Sequence, residues 1–250
     1  MANPLSKEDL ANQTKFQVVV PIYNEGKNIL ELYNCFQEHN IFFDSLKFVY
    51  DFDEDNSLPF IKTIQEKDNR VVAEKNLFGR GVINALRWGF AHCKPGPVII
   101  VMGDNSDKLS IIPQMLEHWQ NGATIVCPSR YMPGGKQHGG GFVKSSLSRL
   151  AGKSLKLFGF PTSDATNNFK LYDGAWLSKQ QVESIGGFEI AIELCYKAFK
   201  ENRKIVELPT EWFDRTYGQS QFKLFKWLPL YLKWYFATLK LLVKRKVRLA

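Results

Sequence analysis

The chain has 250 residues and a formal net charge of +8, from 33 basic and 25 acidic side chains. Eight of the basic residues and none of the acidic ones fall within 223–250, so residues 1–222 are charge-neutral and the excess belongs to the C-terminal tail. A composition 44% hydrophobic, 23% charged and 14% aromatic excludes disordered and fibrous classes, and a charge confined to one tail argues against nucleic acid as a partner and for an anionic membrane surface.

In chain order, the β-branched run at 16–22 and the run at 46–50 read as strands. Between them Ile29, Leu32, Tyr33 and Phe36 recur at helical spacing over 28–39. The alternation continues with a helix over 57–67, a strand at 71–73, a helix over 81–92 and a strand at 97–102. A helix over 112–120 and a strand at 124–129 follow. Such alternation predicts an α/β fold with a mostly parallel central sheet flanked by helices. Residues 132–141 hold five of the 18 glycines and read as a mobile loop, followed by a helix over 144–157. A strand at 169–174, a helix over 189–201 and a strand at 204–209 complete a catalytic domain expected to span 1–222, with a basic, aromatic helical tail at 223–250.

The four cysteines stand 58, 34 and 68 residues apart with no CxxC pair, and read as thiols in a reducing compartment. The polar start lacks the apolar stretch of a secretory signal, which sets the expectation of a cytoplasmic protein. Of the four histidines only His138, inside the glycine-rich segment, suits a substrate contact.

In an open parallel sheet, ligands bind beyond the carboxyl ends of the strands. Here those ends run into Pro21, Tyr23, Asn24 and Glu25, then Asp51, Asp53, Glu54 and Asp55, then Asp104, Ser106 and Asp107. Acids gathered at one rim repel each other unless cations or donors meet them, and hard oxygens suit Mg²⁺ or Mn²⁺. Taken singly, each also reads as a solvated or helix-capping side chain, as Asp107 does before the helix at 112. The absence of GxGxxG after the first strand and of GxxxxGK[ST] anywhere argues against a dinucleotide or P-loop site.

These residues resemble family 2 glycosyltransferases of the polyprenyl-phosphate, dolichol-phosphate mannosyltransferase-like branch. The likeness runs in order through VVVPIYNEGKNI, YDFDEDNS, NLFGRGVINALRWGF, VMGDNSDKLS, SRYMPGG, SDATNNFKLYD, GGFEIAIELCYKA and IVELPTEWFDRTYGQSQFKL, over residues 16–225. It implies a GT-A type nucleotide-sugar-binding fold, an inverting transfer and Mg²⁺ or Mn²⁺ on the donor diphosphate of a GDP- or UDP-linked sugar. It further implies a donor site of Pro21, Tyr23, Glu25, Asp51, Asp53, Arg80 and Asp104, and a metal held by Asp104 with Ser106 and Asp107. Arg130, Lys144, Ser148 and Arg215 would meet the acceptor phosphate, and Glu193 stands at the acid of the family's late helix. Asp104, Arg130, Arg215 and Glu193 are the residues implied for catalysis. Two positions depart from the pattern: Met102 stands for the first Asp of the DxD motif, and Tyr50 precedes Asp51 where the family carries two acids.

A lipid phosphate acceptor is already anionic and needs cationic positioning, for which arginine and lysine suit. A saccharide hydroxyl of a growing cell-surface glycan would need a carboxylate base, with Asp164 and Glu193 as candidates. A third reading, from the two departures, is an inactive membrane-surface scaffold. In the tail, Lys226, Lys233, Lys240, Lys244 and Arg248 fall within about 40° of one line at 100° per residue. Phe222, Phe225, Trp227, Tyr231, Trp234, Tyr235 and Phe236 accompany them. Charges and Pro229 interrupt every stretch long enough to span a bilayer. The tail therefore reads as a peripheral element at the inner face of the membrane, or as helices packed on the domain.

Overall fold

Val18, Val19 and Val20 are all buried, but in different cores: Val18 and Val20 belong to a cluster on one face of the sheet and Val19 to a second cluster on the other. Successive strand residues point to opposite faces, so three consecutive apolar residues specify a strand covered on both sides.

The computed structural model describes residues 14–215 and 224–249. Its elements are β1 (Gln17–Pro21), α1 (Asn28–Glu38), β2 (Ser45–Tyr50), α2 (Leu58–Gln65), β3 (Val71–Lys75), α3 (Val82–Ala91), β4 (Pro97–Ile100), a 3₁₀ turn (Leu109–Ile111) and α4 (Ile112–Gln120). They continue with β5 (Ile125–Ser129), β6 (Lys136–His138), α5 (Phe142–Leu157), β7 (Lys170–Asp173), α6 (Gly174–Leu177), α7 (Ile190–Lys200), β8 (Ile205–Pro209), β9 (Glu211–Phe213) and α8 (Leu224–Leu249). The elements read from the sequence are present with ends shifted by a few residues.

The main sheet has the order β3-β2-β1-β4-β7-β5-β8. Every pairing is parallel except those of β7, which runs antiparallel to both β4 and β5. That reversal positions the site. The parallel strands deliver the loops that follow them to one rim, and β7 delivers to the same rim the segment 164–169 that precedes it. The α1, α2 and α4 helices cover one face through Phe36, Ile61 and Met115; α3 and α7 cover the other through Leu86 and Leu194. At Gly89 a Cβ would lie 2.5 Å from Val19 Cγ1, so glycine lets α3 sit directly on β1.

Three features differ from the sequence reading. The glycine-rich segment is not an open loop: β6 within it pairs in parallel with β9, Lys136 opposite Glu211. Helix α6, four residues long and capped by the Asp173 carboxylate on Trp176 N, was not expected. The tail is one helix rather than several, and its packing on the domain follows the second of the two readings above. Trp234, Thr238 and Leu242 of α8 are buried, two of them in the second core cluster, while Arg245 donates to Phe199 O (2.7 Å) and Asn202 Oδ1 (2.8 Å). Lys226, Lys233, Lys240 and Lys244 lie on the exposed side. Phe222 and Lys223, named above as part of the tail, lie outside the described residues, as does the start of the chain.

Candidate active site

The loops after β1 and β2 are stitched together by side chains that take each other's backbone N–H groups. Asp55 accepts from Asn24 N (3.0 Å), Asn56 from Gly26 N (2.9 Å) and Ser57 from Glu25 N (2.9 Å). Asn24 adopts a left-handed φ of 53°, a conformation asparagine tolerates well among non-glycine residues. Beyond β2, Asp51 accepts from Asn76 Nδ2 (2.9 Å) and from Gly81 N (2.7 Å) at the start of α3. These bonds hold Pro21, Tyr23, Glu25 and Asp51 along one wall of a cavity of about 910 Å³.

On the floor, beyond β4, Asp104 is buried and both its oxygens are engaged. Oδ1 accepts from Ser106 Oγ (2.7 Å) and Ser106 N (3.2 Å); Oδ2 accepts from Arg215 Nη2 at 2.6 Å. Arg215 arrives there because β9 is clamped to this loop. Phe213 N donates to Ser106 O (3.0 Å), and Trp212 forms a bridge with Asp107. Asp107 does not cap α4: its Oδ2 faces Met102 N at 3.4 Å. Burial first, then the Asp104 charge, raises the Asp107 carboxyl to about 7. The same two causes raise Glu25 to about 7, with the Arg215 charge opposing them.

Arg130, following β5, meets Asp164 ahead of β7 in a two-pronged pair, Nε to Oδ2 at 2.7 Å and Nη2 to Oδ1 at 2.9 Å; Arg130 N also donates to Oδ2 (3.0 Å). Its Nη1 stays outside that pair, and Arg130 lines the cavity. The buried Lys170 Nζ donates to the Asp164 and Asn167 carbonyls and fixes this segment from beneath. Lys144 and Ser148 come from α5, and Ser148 Oγ lies 2.6 Å from Thr166 Oγ1. Burial, and then the Arg130 and Arg215 charges, hold Lys144 below its ordinary range. Three cations on one wall form a place that an anion would relieve. Helix α5 reaches it by close contact: at Gly152 a Cβ would lie 1.8 Å from Ser163 O, so only glycine fits.

The cavity thus gathers Pro21, Tyr23, Glu25, Asp51, Asp104, Ser106, Asp107, Arg130, Lys144, Ser148 and Arg215. Three expected residues stand apart. Asp53 is exposed and paired with Lys75. Arg80 lies over the Phe52 ring, 5.3 Å to its centroid, rather than in the cavity lining. Glu193 is fully buried, accepting from Glu183 N and Ser184 N (2.7 Å each) and pairing with Lys197 (2.8 Å). His138 stacks on Phe213 and bonds Glu211 at 3.0 Å, bracing the ribbon. Sequence reasoning missed Trp212 and Asp214 from the ribbon, Asn167 and Asn168 before β7, and Leu228, Tyr231 and Tyr235 of α8. The strand at 169–174 and the tail helix are read from the sequence, but the antiparallel pairing, the ribbon and the docking that bring these residues to the rim leave no local signal.

Among the described residues no group of three or more His, Cys, Asp or Glu is arranged to hold a metal by itself. Asp104 is a hard carboxylate whose Oδ2 already attracts a cation, the Arg215 guanidinium. This donor set fits a Mg²⁺ or Mn²⁺ shared with a diphosphate, the mode in which such ions use one or two carboxylates plus substrate oxygens.

A model of the family described as glycosyl transferase family 2 matches residues 17–178. The chain belongs to glycosyl transferase family 2. Among curated relatives of this glycosyltransferase family member, dolichol-phosphate mannosyltransferase of Pyrococcus furiosus is 26% identical over 220 residues, covering 84% of this chain and 59% of the relative. Bactoprenol glucosyl transferase of Shigella phage SfV is 30% identical over 119 residues, 46% of this chain and 39% of that one. The chain thus spans less than two thirds of the length of these relatives. Among solved structures, glucosyl-3-phosphoglycerate synthase from Mycobacterium tuberculosis, in complex with Mn²⁺, UDP and phosphoglyceric acid, superposes with a TM-score of 0.62. It is 18% identical, and the match covers 96% of this chain and 83% of that one. S. aureus TarS 1–349 gives 0.57 at 18% identity, covering 80% and 60%. The fold is that of GT-A glycosyltransferases.

Proposed function

We propose that this protein is an inverting glycosyltransferase that moves a sugar from a GDP- or UDP-linked donor to a polyprenyl phosphate at the cytoplasmic face of a membrane. The observation that carries the reading is the two-part character of the cavity. One end is lined by Tyr23, Glu25, Asp51 and Asp104 at the strand ends; the other opens between α5 and α8 along Leu147, Leu150, Leu228 and Leu232. Lys144, Arg130 and Arg215 lie where polar and apolar ends meet. That order matches a nucleotide, a phosphate and a hydrocarbon chain. The curated relatives named for dolichol phosphate and bactoprenol support the acceptor class, and the synthase solved with Mn²⁺ and UDP supports the donor class.

A divalent cation on the donor diphosphate would neutralise the leaving group as it departs. The chain's own residues do the remainder. Pro21, Tyr23, Glu25 and Asp51 hold the nucleoside end, Asp104 with Ser106 holds the diphosphate-bound ion, and Lys144, Ser148 and Arg215 orient the acceptor phosphate. Such an acceptor is anionic and needs no strong base. A saccharide hydroxyl would need one, and its two candidates are committed elsewhere: Asp164 to Arg130, Glu193 to the core.

Two helix faces support a peripheral membrane location. Leu232, Phe236, Val243 and Val247 on α8 are exposed beside the Lys226, Lys233, Lys240 and Lys244 stripe, and on α5 Phe142, Leu150 and Leu157 are largely exposed. Apolar side chains flanked by lysines suit an anionic headgroup layer. No helix among the described residues is long and apolar enough to cross a bilayer. Incubating the protein with Mn²⁺, radiolabelled GDP- and UDP-sugars and polyprenyl phosphate vesicles tests the reading. Label should enter the organic extract only with the lipid phosphate; its absence with every donor would refute it.

A further inference from the structure

Arg215 has two claims on it. Its Nη2 sits 2.6 Å from Asp104 Oδ2, on the carboxylate proposed to hold a diphosphate-bound cation, yet the same side chain lines the cavity together with Lys144, where the acceptor phosphate is proposed to bind. The two claims compete once a divalent ion sits on Asp104. A guanidinium and a divalent ion are like charges, and Asp104 has little to share: its other oxygen is already held by Ser106 Oγ and N.

The backbone leading up to Arg215 is held by hydrogen bonds. Phe213 N is bonded to Ser106 O, Asp214 N to His138 O (2.9 Å), and the Asp214 carboxylate accepts from Gly140 N (3.0 Å) and Arg215 N (3.0 Å). From this base the arginine side chain has staggered rotamers to choose among, and its charge already acts on Lys144. Electrostatics favour the two end states unequally. Without a divalent ion, Asp104 lies beside the acids Glu25 and Asp107; the Arg215 guanidinium pairs with Asp104 and its charge also opposes that of Glu25, while Arg130 and Lys170 act on Asp107. With an ion on Asp104, that demand is met and the guanidinium is repelled from it.

We infer that Arg215 is an exchangeable counter-ion: it occupies Asp104 until a divalent cation arrives with the donor diphosphate, and is then released to grip the acceptor phosphate. The exchange makes acceptor binding conditional on the donor, so donor and metal bind first and the phosphate-bearing acceptor second. It also disfavours a site holding the acceptor alone. This rests on the transferase reading above, since it needs a diphosphate-bound ion and an anionic acceptor.

The test uses the full chain with farnesyl phosphate as acceptor probe, Mn²⁺ with GDP or UDP as donor probe, calorimetry for the former and electron paramagnetic resonance of free Mn²⁺ for the latter. In the wild type, Mn²⁺ with nucleotide should tighten farnesyl phosphate binding by about tenfold or more. In Arg215→Gln this enhancement should vanish, while Mn²⁺ in the presence of nucleotide binds at least as tightly as in the wild type, because its competitor is gone. An enhancement that survives the substitution, or Mn²⁺ binding weakened by it, overturns the exchange even if glycosyl transfer is observed. If Arg215→Gln does not fold, as judged by its urea transition, Arg215→Lys carries the test: its enhancement should fall at least about threefold, since lysine cannot grip a phosphate with two parallel bonds. An enhancement equal to the wild type overturns the inference. Failure of both GDP and UDP to bind the wild type with Mn²⁺ would overturn both the exchange and the transferase reading, which separates the two failures.

Discussion

Arg130 and Asp164, 34 residues apart, form a bidentate ion pair in which the carboxylate is fully buried and the guanidinium nearly so. The pair ties the end of β5 to the segment before β7 and sets the cavity's back wall. Removing one partner leaves a buried charge unanswered, so Arg130→Ala should cost about 3–5 kcal/mol of stability. Urea denaturation measures this, and a loss below about 1 kcal/mol would mean that Arg130 is chiefly a ligand contact.

Glu25 gives a pH signature. Its folded-state pKa of about 7 exceeds the ordinary carboxyl value, so the native state binds this proton more tightly than the unfolded chain. The resulting stability is fully present below the unfolded pKa of about 4.3 and is lost as pH rises through about 7. Discounted for its solvent-facing edge, the change is about 1–3 kcal/mol. Between pH 4.5 and 8 the wild type should lose this much relative to Glu25→Gln; a pH-independent difference would contradict the assignment.

Glu193 should matter for folding and not for turnover. Its oxygens satisfy the Glu183 and Ser184 N–H groups and the Lys197 ammonium within the core. Glu193→Gln leaves one of these groups without its acceptor, at about 1–3 kcal/mol. Transfer per folded molecule at low temperature should match the wild type; a selective loss of kcat would restore a catalytic role.

The two faces of α8 should separate cleanly. Trp234→Ala opens a cavity in the core and should cost about 3–5 kcal/mol. Leu232→Ser with Phe236→Ser touches exposed side chains and should leave the unfolding free energy in urea within about 0.5 kcal/mol of the wild type while weakening sedimentation with anionic vesicles. Unchanged vesicle binding would leave α8 as a packing element alone.

Much of this was legible in the sequence, and what was not has a physical reason. The consecutive valines of β1 and the acids at the ends of β1, β2 and β4 locate the sheet and its functional rim, because both depend on local alternation. The β6–β9 ribbon escaped notice because each strand has three residues and the partners lie about 75 positions apart. Pairing over that distance leaves no periodic trace, and the glycines of 134–141 disguise β6 as a loop. Glu193 carries the helical spacing of a core position and the charge of a surface one; only its three donors, all on other turns or segments, explain its burial. The tail's lysine stripe was visible as a face of a helix, but Trp234, Thr238 and Leu242 on the opposite side were equally compatible with docking, and the structure shows that docking. The strand-end acids gave a cation site without revealing that Arg215, 111 residues away, fills it.

The central claim is that the cavity transfers sugar to a lipid-linked phosphate. Its most direct test is a competition: wild-type protein, Mn²⁺ and labelled GDP- and UDP-sugars offered farnesyl phosphate, farnesol and a methyl glycoside in one reaction, with products separated by chromatography. The account predicts label on farnesyl phosphate, with farnesol and the glycoside unlabelled, since only the phosphate meets Lys144 and Arg215. Label on the glycoside or on farnesol in preference to farnesyl phosphate would contradict it.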